Sequence, residues 1–469
     1  MANKMLPAAD VRSYADHFVD FLNKAVSPMH AVKACRESLI SAGFEELEES
    51  DVWKLSPRGK YFVTKNGTAL IAFVLGGNFT PGRPVHMVGT HVDSPCLRLK
   101  PNPKASCKNW QQLSVSTYGG GMWRTWFDRD LSVCGRFFVK EGDKVKAKLV
   151  HIDRPILYLP NLAIHLERES NTSFSFNAED ALKPIFAATS HKSGKHEKEC
   201  DQDSSNSCCS KDMNFVAEIA QLCSIDAADI VSFELYLCPT ERAVIGGLME
   251  DFVFGARLDN LLSTYTGLTG FMEATAMKDV VDSSADVMMF AAFDNEEVGS
   301  ESVPGAASAW TEWVLRRIQK DPNDQCSFER SIAKSFLLSA DVSHAVHPNY
   351  RCKHDENHTP LFHHGPVLKV NQNQRYATIG CTAAKLRRIA ELANVPVQVY
   401  TNKNDVSCGS TIGPILSTKL GIQTADIGNA LLAMHSAREM ASTADLLFAH
   451  RLFKTYYEKF HIVSSEMSL

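Results

Sequence analysis

The stretch Val287-Met-Met-Phe-Ala-Ala-Phe-Asp294-Asn-Glu296-Glu297-Val-Gly299-Ser300 decides how the chain is read. An apolar run of strand length stops at three acidic residues and then at a glycine. A strand covered on both faces reads as a continuous hydrophobic run, as in a central parallel sheet. Two adjacent carboxylates at its end are costly to keep unpaired in a partly dry site. A metal ion is the first candidate to compensate them; a solvated acidic loop is the alternative. In open α/β sheets ligands gather beyond the carboxyl ends of the strands, so the other strand ends decide between the two.

The pattern recurs. Val85-His-Met-Val-Gly-Thr90 runs into His91-Val-Asp93-Ser-Pro95. His91 and Asp93 sit two apart and point the same way on an extended chain. Asp93 can therefore accept from the second nitrogen of a metal-bound imidazole. Ser335-Phe-Leu-Leu-Ser-Ala340 ends in Asp341, with His344 just beyond. Ile422-Gln-Thr-Ala-Asp-Ile427 is expected as the last strand, followed by Ala433-Met-His435. Phe252-Val-Phe-Gly-Ala-Arg257-Leu precedes Asp259, where a helix from Leu261 to about Ala276 begins. Asp259 can equally serve there as an N-cap. Two histidines and three or more carboxylates on one sheet edge form a mixed nitrogen and oxygen donor set. That set suits zinc, with manganese or cobalt as substitutes. Five ligands exceed the needs of one catalytic zinc, and two ions bridged by one carboxylate account for the excess.

Working outward, apolar spacing predicts helices over 8–25 and 30–42, the second closed by Gly43. A hairpin is expected around Asn66-Gly67. A helix over 306–320 carries Trp310, Trp313, Val314 and Ile318 on one face, and a closing helix runs from Glu439 to about Phe460. With further strands at Pro366–Val370 and Pro396–Tyr400, the class is α/β. The expected architecture is a mixed, largely parallel sheet sandwiched by helices.

Residues 95–244 change in character, so they are expected as a β-rich domain inserted between 1–94 and 245–469. They hold the tract Tyr118-Gly-Gly-Gly-Met-Trp123 and the strand-like segments Leu131–Val139 and Lys146–Ile152. His165 has apolar neighbours in Asn161-Leu-Ala-Ile-His165-Leu and, taken alone, reads as a satisfied core histidine. Residues 189–212 are polar and low in complexity, as in a surface loop.

Composition narrows the classes. The 469 residues suggest two or three domains. A net charge of -5 shows no basic excess and argues against nucleic acid as a partner. No apolar run approaches the length of a membrane span, and the first ten residues lack the apolar core of a signal peptide. The 13 cysteines are scattered without a C-x-x-C pair, which fits reduced thiols and a cytoplasmic location.

Six segments together resemble one family closely. They are Gly89-Thr-His91-Val-Asp93-Ser-Pro95, Tyr118–Trp123, Arg257-Leu-Asp259-Asn260, Asp294–Ser300, Ser339-Ala-Asp341-Val-Ser-His344 through Tyr350, and Met434-His435-Ser-Ala-Arg-Glu439. They resemble the aspartyl aminopeptidases, dinuclear zinc exopeptidases that form tetrahedral dodecamers. The resemblance implies one zinc on His91 and Asp341, a second on Glu297 and His435, and Asp259 bridging both. It makes Glu296 the general base and Asp93 the partner of His91. It makes the inserted domain a dimerisation domain and sends His165 into a neighbouring subunit's site, as a donor to the substrate or its tetrahedral intermediate. It gives Lys369, with His344, the side-chain pocket for an amino-terminal Asp or Glu of a small peptide. Two positions depart from the family pattern: 189–212 is longer and richer in cysteine and serine, and Ser407 stands where proline is expected. A broader aminopeptidase, a dinuclear metallo-carboxypeptidase or deacylase, and an oligomeric shell without metals are the rival readings.

Overall fold

The computed structural model describes residues 6–188 and 213–466. The expected loop over 189–212 lies outside the described residues. The chain divides into two compact units, Met1–Pro95 with Arg242–Leu469, and Cys96–Glu241.

The first unit is built on a nine-stranded sheet. Its strands are β1 (Glu45–Glu46), β2 (Lys60–Lys65), β3 (Ala69–Leu75), β4 (Val85–His91), β5 (Val287–Phe293), β6 (Phe336–Ala340), β7 (Val367–Lys369), β8 (Gln398–Tyr400) and β9 (Gln423–Gly428). The spatial order is β1-β2-β3-β5-β4-β6-β9-β7-β8. The central four, β5-β4-β6-β9, are parallel throughout, so their carboxyl ends lie along one edge. The flanks are mixed: β2, β3 and β5 pair antiparallel, as do β9 and β7. The β2–β3 turn carries Asn66 at φ 53° and Gly67 at φ 67°, the left-handed pair that a tight hairpin turn demands.

Seven main helices cover the sheet: α1 (Ala8–Lys24), α2 (Pro28–Ser41), α3 (Leu258–Ala276), α4 (Trp310–Ile318), α5 (Gly380–Ala393), α6 (Ile412–Leu420) and α7 (Thr443–Glu466). Successive strand side chains point to opposite faces, and here both faces are buried. On one face Leu70, Ala72, Val74, Val88, Phe290 and Leu338 pack with Phe18 and Leu22 of α1, Leu261 and Phe271 of α3, Leu386 of α5 and Tyr456 of α7. On the other, Ile71, Phe73, Met87, Met289 and Leu337 meet Trp310 and Val314 of α4 and Ile412 and Leu416 of α6. Each fully buried aromatic or branched side chain contributes about 1.5–3 kcal/mol.

Three expectations need correction. α4 is shorter than 306–320, and Trp313 is 58% exposed, off the face that buries Trp310, Val314 and Ile318. The closing helix starts at Thr443 rather than Glu439. Nor is β9 the last strand: Ala430–Leu432 and Glu439–Ser442 follow it. These two join Val244–Gly246, Phe252–Gly255 and Ser343–His344 in a small five-stranded sheet.

The second unit is a β-structure. Ile230–Pro239, Cys96–Cys107, Trp110–Tyr118, Ile185–Ala188, Leu157–Tyr158 and Asp130–Glu141 pair in turn, and Ile230–Pro239 pairs back onto Asp130–Glu141. The ring so formed is antiparallel and barrel-like, with Leu97, Leu113, Val133, Phe137, Leu235 and Leu237 buried.

Gly428 ends β9 where the chain leaving β6 passes closest. A Cβ there would lie 1.8 Å from the Asp341 carbonyl oxygen and 2.9 Å from Val342 Cα. Backbone cannot yield as a flexible side chain does. Gly428→Ala is expected to lower stability by about 1–3 kcal/mol or more, read as a fall in the thermal unfolding midpoint; an unchanged midpoint counts against this close approach.

Candidate metal centre

The carboxyl ends of the parallel strands carry the titratable residues. His91 is the last residue of β4, and Phe293 of β5 pairs with it. Glu296 and Glu297 follow β5 in a single tight turn that starts from Asn295 at φ 63°. Asp341 follows β6, and His435 lies in the hairpin between Ala430–Leu432 and Glu439–Ser442. Asp259 sits where the chain enters α3 in a non-helical conformation, φ -82° and ψ 105°. Its Oδ1 accepts no hydrogen bond among the described residues. Its carboxylate turns to the two histidines.

His91 Nε2 is 3.4 Å from Asp259 Oδ1, 3.7 Å from Asp341 Oδ1 and 3.9 Å from Glu296 Oε2. His435 Nε2 is 3.2 Å from Asp259 Oδ2 and 3.5 Å from Glu297 Oε2. Ligand atoms of His91, Asp259 and Asp341 lie within 4.8 Å of one another, as do those of Asp259, Glu297 and His435. The two groups share Asp259. A third grouping joins His91, Glu296 and Glu297.

Asp93 is buried, and its carboxylate reaches further than His91. Its Oδ1 accepts from Glu296 N at 3.2 Å and its Oδ2 from Glu297 N at 3.1 Å. The shortest contact of His91 Nδ1 is with the Asp93 main-chain oxygen, at 3.1 Å, with Oδ1 at 3.4 Å. One residue thus orients the imidazole and shapes the Glu-Glu turn. Asp294 serves the same turn, its Oδ1 accepting from Asn295 N at 2.8 Å.

Charge balance dominates the site. Burial pushes the Glu296 carboxyl up to about 8; His91 opposes the rise, while Asp341, Asp93 and Asp259 add to it. Burial likewise raises Glu297, with the Asp259 charge adding to it. Burial opposes charge on His91, but Glu296, Asp259, Asp341 and Asp93 outweigh it and raise the imidazole well above its usual range. Burial also works against Asp259, yet the facing imidazoles of His435 and His91 hold its carboxyl below the usual range. Asp259 Oδ1 and Glu297 Oε1 are buried with no hydrogen-bond partner among the described residues. A cluster so acidic, with orphaned oxygens and two imidazoles, fits a divalent cation with nitrogen and oxygen ligands.

The other expected residues are placed as follows. Lys369, at the end of β7, is 3% exposed. Its Nζ donates to Asp341 O at 3.0 Å, Val342 O at 2.8 Å and Asp341 Oδ2 at 3.3 Å. His344 keeps an exposed edge, but the chain around it and then Lys369 push its imidazole down to about 4. His165 belongs to the second unit and is exposed, with Leu162, Ile164 and Leu166 exposed beside it, so it is not a core histidine. Residues that sequence reasoning left without a role also converge. Glu439 accepts from Asp259 N and His435 N. Asn260 Nδ2 donates to Ala340 O at 2.9 Å, and Thr264 Oγ1 to His91 O at 2.8 Å.

The parallel sheet and the cluster at its edge define a metal-dependent hydrolase of the zinc-peptidase type. The chain belongs to the family described as Aminopeptidase I zinc metalloprotease (M18), which it matches over residues 21–457. It is therefore a zinc aminopeptidase, a hydrolase of peptide bonds. It is 47% identical over 472 residues to the aspartyl aminopeptidase of Caenorhabditis elegans, covering 100% of both chains. A solved structure described as the Ape4 and Nbr1 complex superposes with a TM-score of 0.93 at 39% identity, covering 98% of this chain and 88% of that one. The Saccharomyces cerevisiae mApe1 dodecamer superposes with a TM-score of 0.82 at 26% identity, covering 97% and 99%.

Asp93→Asn leaves one acceptor where two main-chain donors point and turns an amide N–H on the other. Zinc affinity is expected to fall about 10–100-fold, measured by competition with a chromophoric chelator. Wild-type affinity in the variant would refute the role given to Asp93.

Proposed function

We propose that the protein removes an amino-terminal aspartate or glutamate from peptides by attack of water, with Glu296 as general base and two zinc ions per subunit. The observation that carries this reading is the pair of three-residue groups sharing Asp259. His91 and Asp341 would hold one ion, Glu297 and His435 the other, and Asp259 both. Manganese or cobalt can substitute, being served by the same donors. Zinc, when bound, lowers the pKa of a water from ~15.7 to about 7 and polarises a carbonyl.

The two glutamates divide the labour by exposure. The Glu297 side chain is 5% exposed and faces His435, whereas the Glu296 side chain is 14% exposed. Glu296 is the more open carboxylate, able to take a proton from water and pass it to the leaving amine. Glu296→Gln is expected to retain zinc and to lose about 10²–10⁴-fold in kcat, read by metal content alongside anilide hydrolysis. A loss of zinc equal to the loss of rate would make Glu296 a ligand instead.

The acidic preference is assigned to Lys369, with His344 beside it. All three ammonium protons of Lys369 have acceptors within the chain, so meeting a substrate carboxylate requires it to release one. The same observation favours a second reading, a broader aminopeptidase in which Lys369 only holds Asp341. Hydrolysis of Asp-, Glu-, Leu- and Ala-anilides, with and without chelator, separates the two. Lys369→Met at full zinc content is expected to cost acidic substrates more than neutral ones; equal losses would establish the second reading. An acetylated substrate cleaved as fast as the free amine would point to a deacylase.

The inserted unit is read as the dimerisation domain of a homo-oligomer, a tetrahedral dodecamer built from dimers. Support comes from the dodecameric relative and from the exposed apolar loop of Leu162, Ile164 and Leu166. His165 on that loop would enter a neighbour's site as an oxyanion-type donor. A cytoplasmic location is consistent with the described cysteines, which form no disulfide, and no helix among the described residues is long and apolar enough to cross a membrane.

A further inference from the structure

We propose that Glu439 is a positioning residue that sets the spacing between Asp259 and His435. Its Oε2 accepts from Asp259 N at 3.2 Å and its Oε1 from His435 N at 2.8 Å. It is 3% exposed and opens the strand Glu439–Ser442 of the small sheet. Glu439 pairs there with Gly255 of Phe252–Gly255, the strand whose continuation delivers Asp259. One carboxylate thus grips the two segments that bring in the shared carboxylate and one imidazole.

Both segments need holding. Arg257 has φ 63°, Ala433 φ 58° and His435 φ 66°. Left-handed backbone is sparsely populated for residues with a Cβ and persists where surrounding bonds over-determine it. The choice of residue is informative too. Two main-chain donors converge from different directions, and only a carboxylate offers each an oxygen; a glutamine would turn an N–H onto one of them. A further acid beside Asp259 is costly in a buried site unless a cation is near. Glu439 acts through the two amides it grips, those of Asp259 and His435. It is the counterpart of Asp93, which grips Glu296 N and Glu297 N in the same way.

The inference rests on the two-ion reading given above. The group formed by Asp259, Glu297 and His435 has two members fixed by Glu439, whereas the group of His91, Asp259 and Asp341 has one. Loss of the grip therefore falls mainly on the first. The test is stepwise zinc titration of metal-stripped full-length protein, wild type and Glu439→Gln, against a competing chelator. Thermal unfolding is followed in parallel. Two binding steps are expected in the wild type. In the variant one step should weaken about 10–100-fold and the other by much less. Excess zinc should restore the variant's kcat with little change in KM. If the wild type binds two ions and the variant binds both with unchanged affinity, Glu439 has no positioning role. The same holds if both steps weaken equally while the unfolding midpoint drops, which marks a general structural brace. A wild type that binds fewer than two ions fails the two-ion reading itself, and the inference falls with it. Should Glu439→Gln not fold, Glu439→Asp, one methylene too short to span both amides, is read by the same criteria.

Discussion

Six carboxyl groups, those of Asp93, Asp259, Glu296, Glu297, Asp341 and Glu439, crowd around two imidazoles and one buried ammonium. That crowding of acids in a dry place is what the rest of the structure must accommodate. The chain uses its own amides first. Asp93 and Glu439 each accept from two main-chain N–H groups, so backbone dipoles face their carboxyl oxygens. Asp259, Glu297 and Asp341 are left facing the histidines, and with them they make a nitrogen and oxygen donor set that suits zinc.

Bringing these groups together is a matter of strand direction. β5, β4 and β6 are parallel neighbours, so His91, the Glu-Glu turn and Asp341 emerge at one edge although some 250 residues of chain separate the first from the last. The edge is held rigid from below. Both faces of the sheet are packed, and a shift of β4 against β5 by one residue would exchange the faces that meet α3 and α4. Registry that serves the core therefore also fixes the distance from His91 to the Glu-Glu turn. Gly428 makes the same point from the other side, since only a residue without Cβ lets the end of β9 lie against Asp341.

Much of this was legible in the sequence because buried parallel strands are long apolar runs with an abrupt polar end. Those ends named His91, Glu296, Glu297 and Asp341 before any coordinates. What was not legible is the small five-stranded sheet. Its strands are two to four residues long, too short for periodicity to register. Its partners are distant in the chain, as Ser343 with Ala430 and Phe252 with Ser442. Glu439 was therefore read as the start of a helix, and Asp259 as a candidate cap rather than a residue turned toward two histidines. Apolar neighbours also misled at His165 and Trp313. Local composition cannot separate a core side chain from one on an exposed surface, because roughly half of any protein surface is apolar.

Lys369 shows why positions that sequence reasoning assigns to separate tasks need not be separable. Its ammonium holds the main-chain oxygens of Asp341 and Val342 and touches the Asp341 carboxylate. On the proposed reading, Asp341 is a zinc ligand and Lys369 the cation that selects an acidic residue. A substrate carboxylate would then compete with Asp341 and Val342 for the same three protons. Its arrival would loosen the hold of Lys369 on Asp341. On that reading, selectivity and the hold on Asp341 are linked through one ammonium.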